Sequence, residues 1–197
     1  MRLFAALLPP EDVTHELARE VAALKRLPGA DGLRWTGRPG WHFTLAFYGE
    51  VDEEVVPDLS ARLERTARRT PSFPLALRGG GQFGRGRALW TGAEGDLPTL
   101  RLLAERSEAA ARKAGVPMGE HRRYQAHLTL ARSRDAVDVR PCVDALRGFR
   151  SRPWTVDALV LVRSHLPKSG VPGEQPRYEP VARWPLGPVG HGPAEGS

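Results

Sequence analysis

One five-residue word occurs twice in this chain. His42-Phe43-Thr44-Leu45-Ala46 and His127-Leu128-Thr129-Leu130-Ala131 stand 85 residues apart. A strand has a side-chain period of two, so His and Thr leave one face in each copy. Phe43 and Leu45, or Leu128 and Leu130, point the other way into a core. A fold that serves both copies duplicates a strand–helix unit and faces the two halves across one cleft. Two imidazoles and two hydroxyls then meet as an acid–base pair with two neutral hydrogen-bond donors.

The hydrophobic pattern supplies the frame. Residues 2–8 read as a buried strand, and 11–27 carry apolar residues at 13, 17, 21, 24 and 27, a helical period. Residues 33–36 make a short strand, and the first motif strand runs from 41 to 48. Asp52 is placed to cap a second helix with Val55, Val56, Leu59, Leu63 and Ala67 on its buried stripe. Strands at 73–77 and 87–91 flank a glycine-rich turn, a third helix spans 97–114, and the second motif strand covers 126–131. A short helix at 141–146 and strands at 155–163 and 178–184 complete the order. Helices mixed with neighbouring strand pairs predict an α+β fold of two pseudo-symmetric lobes, each an antiparallel sheet with helices outside, around a central cleft. Residues 1–186 form one bilobal domain in this reading. Residues 187–197, rich in Gly and Pro without periodicity, form a disordered tail.

Composition excludes several classes. No stretch approaches the ~20 apolar residues of a membrane helix. The opening Arg2-Leu3-Phe4-Ala5-Ala6-Leu7-Leu8 is too short for a signal peptide and is followed by Pro9-Pro10-Glu11-Asp12, so a cytoplasmic protein is expected. The single cysteine, Cys142, rules out an internal disulfide and a thiolate-rich zinc site; its apolar, helix-like surroundings argue against a nucleophile. The net charge is +6, carried almost wholly by Arg, with Lys only at positions 25, 113 and 168. Guanidinium groups suit phosphate, so RNA is a plausible partner, although a GC-rich genome would also encode this balance. A monomer is expected.

Hydrolysis of a phosphodiester needs a base for water and an acid for the departing sugar oxygen. Histidine is the side chain whose ordinary pKa lies nearest neutrality, so one ring can be neutral while its partner is charged. Threonine hydroxyls can donate to the non-bridging oxygens, where charge accumulates. A zinc site would want a third ligand that no spacing indicates; no metal and no cofactor are expected.

The paired words, with Phe47-Tyr48-Gly49-Glu50 after the first and Arg132 after the second, resemble the 2H phosphoesterase superfamily. Within it the chain is similar to the RNA 2′,3′-cyclic phosphodiesterases, also called LigT-like or 2′-5′ RNA ligase-like proteins. Arg2 to Leu7, Arg34-Trp35, Leu89-Trp90 and Arg177-Tyr178-Glu179-Pro180 extend the likeness over nearly the whole chain; Tyr48 stands where relatives often carry Leu. The resemblance implies a two-lobed fold with pseudo-two-fold symmetry and metal-independent opening of a cyclic phosphate at an RNA end to a 2′-phosphate. It assigns His42 as proton donor, His127 as proton acceptor, and Thr44, Thr129 and Arg132 as phosphate ligands. Strand parity points Arg132 away from His127, so that last assignment requires a bulge or a strand end. The reverse reaction, 2′-5′ ligation, would use the same site. The competing readings are a non-catalytic RNA-binding module and a phosphodiesterase of small cyclic nucleotides.

Lesser signals remain. Gly79-Gly80-Gly81-Gln82-Phe83-Gly84 matches G-x-G-x-x-G, but a strand follows where a dinucleotide site needs a helix. It reads as a flexible hairpin whose Phe83, Arg85 and Arg87 could line the cleft, with Phe83 stacking on a base. His121-Arg122-Arg123 could attract phosphate; His15 and His165 read as structural or surface residues.

Overall fold

The computed structural model describes residues 1–171 and 173–187; the tail expected over 187–197 therefore lies, from residue 188 onward, outside the described residues. The strands among the described residues form one nine-stranded antiparallel sheet in the order β7-β4-β5-β6-β3-β1-β8-β9, with β2 pairing β6. These strands are β1 (Arg2–Leu7), β2 (Arg34–Trp35), β3 (Phe43–Glu50), β4 (Phe73–Phe83), β5 (Ala88–Gly95), β6 (Leu128–Arg132), β7 (Trp154–Val156), β8 (Ala158–His165) and β9 (Arg177–Pro185). The helices are α1 (Glu11–Leu24), α2 (Val56–Arg69), α3 (Leu97–Lys113) and α4 (Arg140–Leu146).

The sheet divides at its middle. β3 and β6 meet at a single register pair, Phe43 opposite Leu128, with β7, β4, β5 and β6, joined by β2, on one side and β3, β1, β8 and β9 on the other. The halves repeat one plan. β1-α1-β3 and β5-α3-β6 are matching strand–helix–strand units, and a helix follows each motif strand. Each half then receives a strand from the other: β4, after α2, pairs β5, while β8, reached after α4 and β7, pairs β1. The lobes are thus pseudo-symmetric and interlocked.

Period-two alternation builds the layers. Leu3, Ala5 and Leu7 of β1 and Leu159 and Leu161 of β8 face the main core, which the buried stripes Val13, Leu17, Val21 and Leu24 of α1 and Leu59, Leu63 and Ala67 of α2 also line. Phe4, Ala6, Val160 and Val162 point to the opposite, cleft-side face, where Tyr178 covers them.

Three expectations need correction. The glycine-rich segment is not a turn: β4 continues through Gly79-Gly80-Gly81 to Phe83, and the reversal is confined to residues 84–87. A Cβ on Gly80 would come within 2.4 Å of Leu146, and one on Gly81 within 2.3 Å of the Trp90 ring. These glycines admit close neighbours to a strand rather than bend it. The second helix begins at Val56 without a side-chain cap, because residues 53–55 form a turn closed by Val55 N–H donating to the Asp52 carbonyl. The strand expected at 155–163 is two strands broken at Asp157: β7 joins β4 in one half and β8 joins β1 in the other.

Candidate active site

Both histidines sit immediately before their motif strands and are anchored identically. His42 Nδ1–H donates to the Gly40 carbonyl at 2.7 Å, and His127 Nδ1–H donates to the Gln125 carbonyl at 2.9 Å. A carbonyl can only accept, so each bond places the proton on Nδ1 and leaves Nε2 for chemistry. His42 Nε2 lies 2.9 Å from Thr44 Oγ1, and the hydroxyl donates to it when the ring is neutral. Each imidazole also has an aromatic pair. Phe4 lies 4.8 Å and Tyr178 5.3 Å from His42 between ring centroids. Phe83 lies 5.0 Å and Trp90 6.2 Å from His127.

One cleft of about 230 Å³ is lined by His42, Thr44, His127, Thr129 and Arg132 together. The structure brings all five sequence-predicted residues to one place. For Arg132 the device is a bulge. Opposite β5, Thr129 faces Trp90 and Ala131 faces Leu89, so Leu130 is the extra residue. The first word carries the same bulge: opposite β1, Thr44 faces Ala6 and Ala46 faces Ala5, with Leu45 extra. In each copy the leucine and the following alanine both enter the core. Parity then flips, and the next residue returns to the cleft. That residue is Arg132 in one half and Phe47 in the other.

Phe47 and its partner Arg2 are site residues that sequence reasoning missed. The Arg2 guanidinium lies 4.8 Å from the Phe47 ring centroid, and both line the cleft with Thr36, Ser164 and Tyr178. For Arg2 and Phe4 a signal existed, since they alternate with the buried Leu3 and Ala5. Thr36 and Tyr178 gave none. Phe83 abuts His127 but lines a neighbouring groove with Arg122 and Arg123, not the cleft itself. Arg85 and Arg87 do not line the cleft; Arg87 donates to the Arg134 and Gly84 carbonyls and braces its turn. His121 pairs with Glu108 and His165 with Glu179. Cys142 is buried, and burial raises its pKa.

The cleft is electropositive: Arg2 and Arg132 line it, and no Asp or Glu does among the described residues. Burial holds the His42 pKa below its ordinary value; the Gly40 hydrogen bond opposes this, and the charges of Arg132 and His127 reinforce it. The free site therefore favours neutral His42 until an anion enters.

Comparison with known proteins agrees with this geometry. The family described as LigT like Phosphoesterase matches residues 7–90 and 94–172. An RNA 2′,3′-cyclic phosphodiesterase of Thermus thermophilus is 34% identical over 179 residues, 86% of this chain and 85% of the relative. One of Escherichia coli is 30% identical over 186 residues, covering 94% and 96%. Relatives of that name from Thermotoga maritima and Geobacillus stearothermophilus align over about half their length, 57% and 47%. The solved structure of E. coli LigT in apo form superposes with a TM-score of 0.73 at 28% identity, covering 94% of this chain and 97% of that one, and the same protein has been solved complexed with 3′-AMP. On the extent of these matches, the chain belongs to the LigT-like phosphoesterase family.

Proposed function

We propose that this protein hydrolyses the 2′,3′-cyclic phosphate at the 3′ end of RNA to a 2′-phosphate by two-histidine acid–base catalysis. His127 Nε2 takes a proton from water as the water oxygen attacks phosphorus. The P–O3′ bond breaks, and His42 Nε2 delivers its proton to O3′. Thr44, Thr129 and Arg132 donate to the non-bridging oxygens as their charge grows. The observation that carries the reading is the matched pair of Nδ1–carbonyl anchors on one electropositive cleft. The names of the relatives supply RNA as substrate. A 5′-hydroxyl in place of water would turn the same steps into 2′-5′ ligation, and the abundance of water makes hydrolysis the principal direction.

The test is an oligoribonucleotide ending in a 2′,3′-cyclic phosphate, incubated with the protein in EDTA. The expected product is a 2′-monoester, formed at the same rate with and without chelator. A 3′-monoester, or turnover that requires added metal, would overturn the mechanism. Comparing rates on a mononucleotide and on RNA of increasing length separates the RNA reading from a small-nucleotide one.

The pH dependence carries a sign. The mechanism needs a charged His42 and a neutral His127 together, so activity falls at both pH extremes, giving a bell. Burial depresses the His42 pKa in the free site, so the charged acid that kcat/KM requires is the minority form near neutrality. The bound phosphodiester brings a negative charge that stabilises the imidazolium. The falling limb of kcat is therefore expected at higher pH than that of kcat/KM. Coincident falling limbs would contradict this electrostatic account.

A further inference from the structure

A second basic groove lies between α2 and α3. It encloses about 320 Å³ and is lined by Arg62, Arg65 and Arg69 from α2 and by Arg106 and Lys113 from α3. The spacings place each set along one face of its helix. Thr66 and Ala110, both small and buried, form the floor.

Most of the charges here lack a carboxylate partner among the described residues. Several arginines outside the groove meet a carboxylate: Arg112 with Glu108 on another face of α3, Arg147 with Asp144, Arg152 with Glu16, Arg150 with Glu94. In the groove only Arg62 does so among the described residues, through Asp58, and no carboxylate is part of the lining. Arg106 is held by the end of α2, donating to the Arg69 carbonyl at 3.1 Å and to Thr70 Oγ1 at 3.2 Å. Arg65, Arg69 and Lys113 have no anionic partner among the described residues, and Arg65 and Arg69 repel at i,i+4 spacing. Like charges gathered in a concave site await a polyanion.

We infer that this groove binds the phosphate backbone of RNA at a site separate from the cleft. The choice of RNA rests on the proposed activity, which supplies a polyanion longer than the cleft itself. Guanidinium forks match phosphate oxygens, and contacts to backbone alone hold a strand without regard to sequence.

The experiment measures binding of a fluorescent oligoribonucleotide that ends in a 3′-hydroxyl, across a salt series. The wild type is compared with the triple variant Arg65→Gln, Arg69→Gln, Lys113→Gln. Each phosphate contact on a single strand contributes about 0.7 to the slope of log K against log salt. Losing three lowers the slope by about 2, with affinity at low salt falling on the order of tenfold or more. The same variant keeps wild-type turnover of a 2′,3′-cyclic mononucleotide, which reaches only the cleft, and melts no lower than wild type. Unchanged RNA affinity and slope would overturn the inference, as would capture by anionic-lipid vesicles without RNA binding. If the wild type proves inactive on cyclic phosphate ends, the catalytic reading fails while the binding comparison still decides the groove.

Discussion

Replacing His127 by alanine lowers kcat by on the order of 10²- to 10⁴-fold, the usual worth of a positioned general base, and His42→Ala does the same from the acid side. The two variants lose opposite limbs of the pH profile. Without His127 the rise with pH disappears, because no group must lose a proton before water is attacked. Without His42 the fall disappears, because O3′ leaves unprotonated or takes its proton from solvent. The double variant is expected to lose little more than either single one, since acid and base act in one transition state. The measurements are single-turnover rates against pH on a cyclic-phosphate RNA, with a melting curve for each protein. Both side chains are partly exposed at the cleft, so a large fall in stability would point to damage rather than lost chemistry. A variant that keeps both limbs of the bell would remove that histidine from the mechanism.

How much of this was legible in the sequence depends on the distance over which each signal acts. The two words, their core-facing partners and the α+β order are local patterns, and the structure bears out the fold they predict. Arg132 shows where local reasoning stops. Alternation alone sends it away from His127, and only the extra residue at Leu130, visible when β5 is laid beside β6, turns it back. The same shift at Leu45 brings Phe47 to the cleft, a symmetry hidden in two copies of Leu-Ala that look like ordinary strand. Gly80 and Gly81 misled for a related reason: composition marks a turn, whereas the requirement is steric and comes from Leu146 and Trp90. Thr36 and Tyr178 belong to segments whose only link to the cleft is the tertiary fold. Tyr178 reaches His42 because β9 lies beside β8, which lies beside β1.

Phe43→Ala should destabilise the protein by about 3–5 kcal/mol, the range for truncating a fully buried phenylalanine. Phe43 has no exposed surface, and its backbone faces Leu7 on one side and Leu128 on the other. The pair with Leu128 is the one register at which the two halves of the sheet join. It stands between His42 and Thr44 in one strand and beside His127 in the other. A cavity at this point loosens both sides of the catalytic cleft, so kcat should fall in Phe43→Ala even at temperatures where the variant is fully folded. Leu128→Ala removes the facing side chain and is expected to cost about 2–5 kcal/mol. Because the residues share one junction, the double variant should depart from additivity by about 0.5–3 kcal/mol. Phe47→Ala is the control: four positions along the same strand but 49% exposed, it should change stability by only about 0.5 kcal/mol. Urea unfolding of the wild type and the four variants, with kcat measured well below each midpoint, separates the terms. Strict additivity between Phe43 and Leu128, together with wild-type kcat in the folded single variants, would mean that the halves are positioned by the helices packed behind the sheet. A coupled loss of stability and rate would instead assign the spacing of the two imidazoles to this single strand junction.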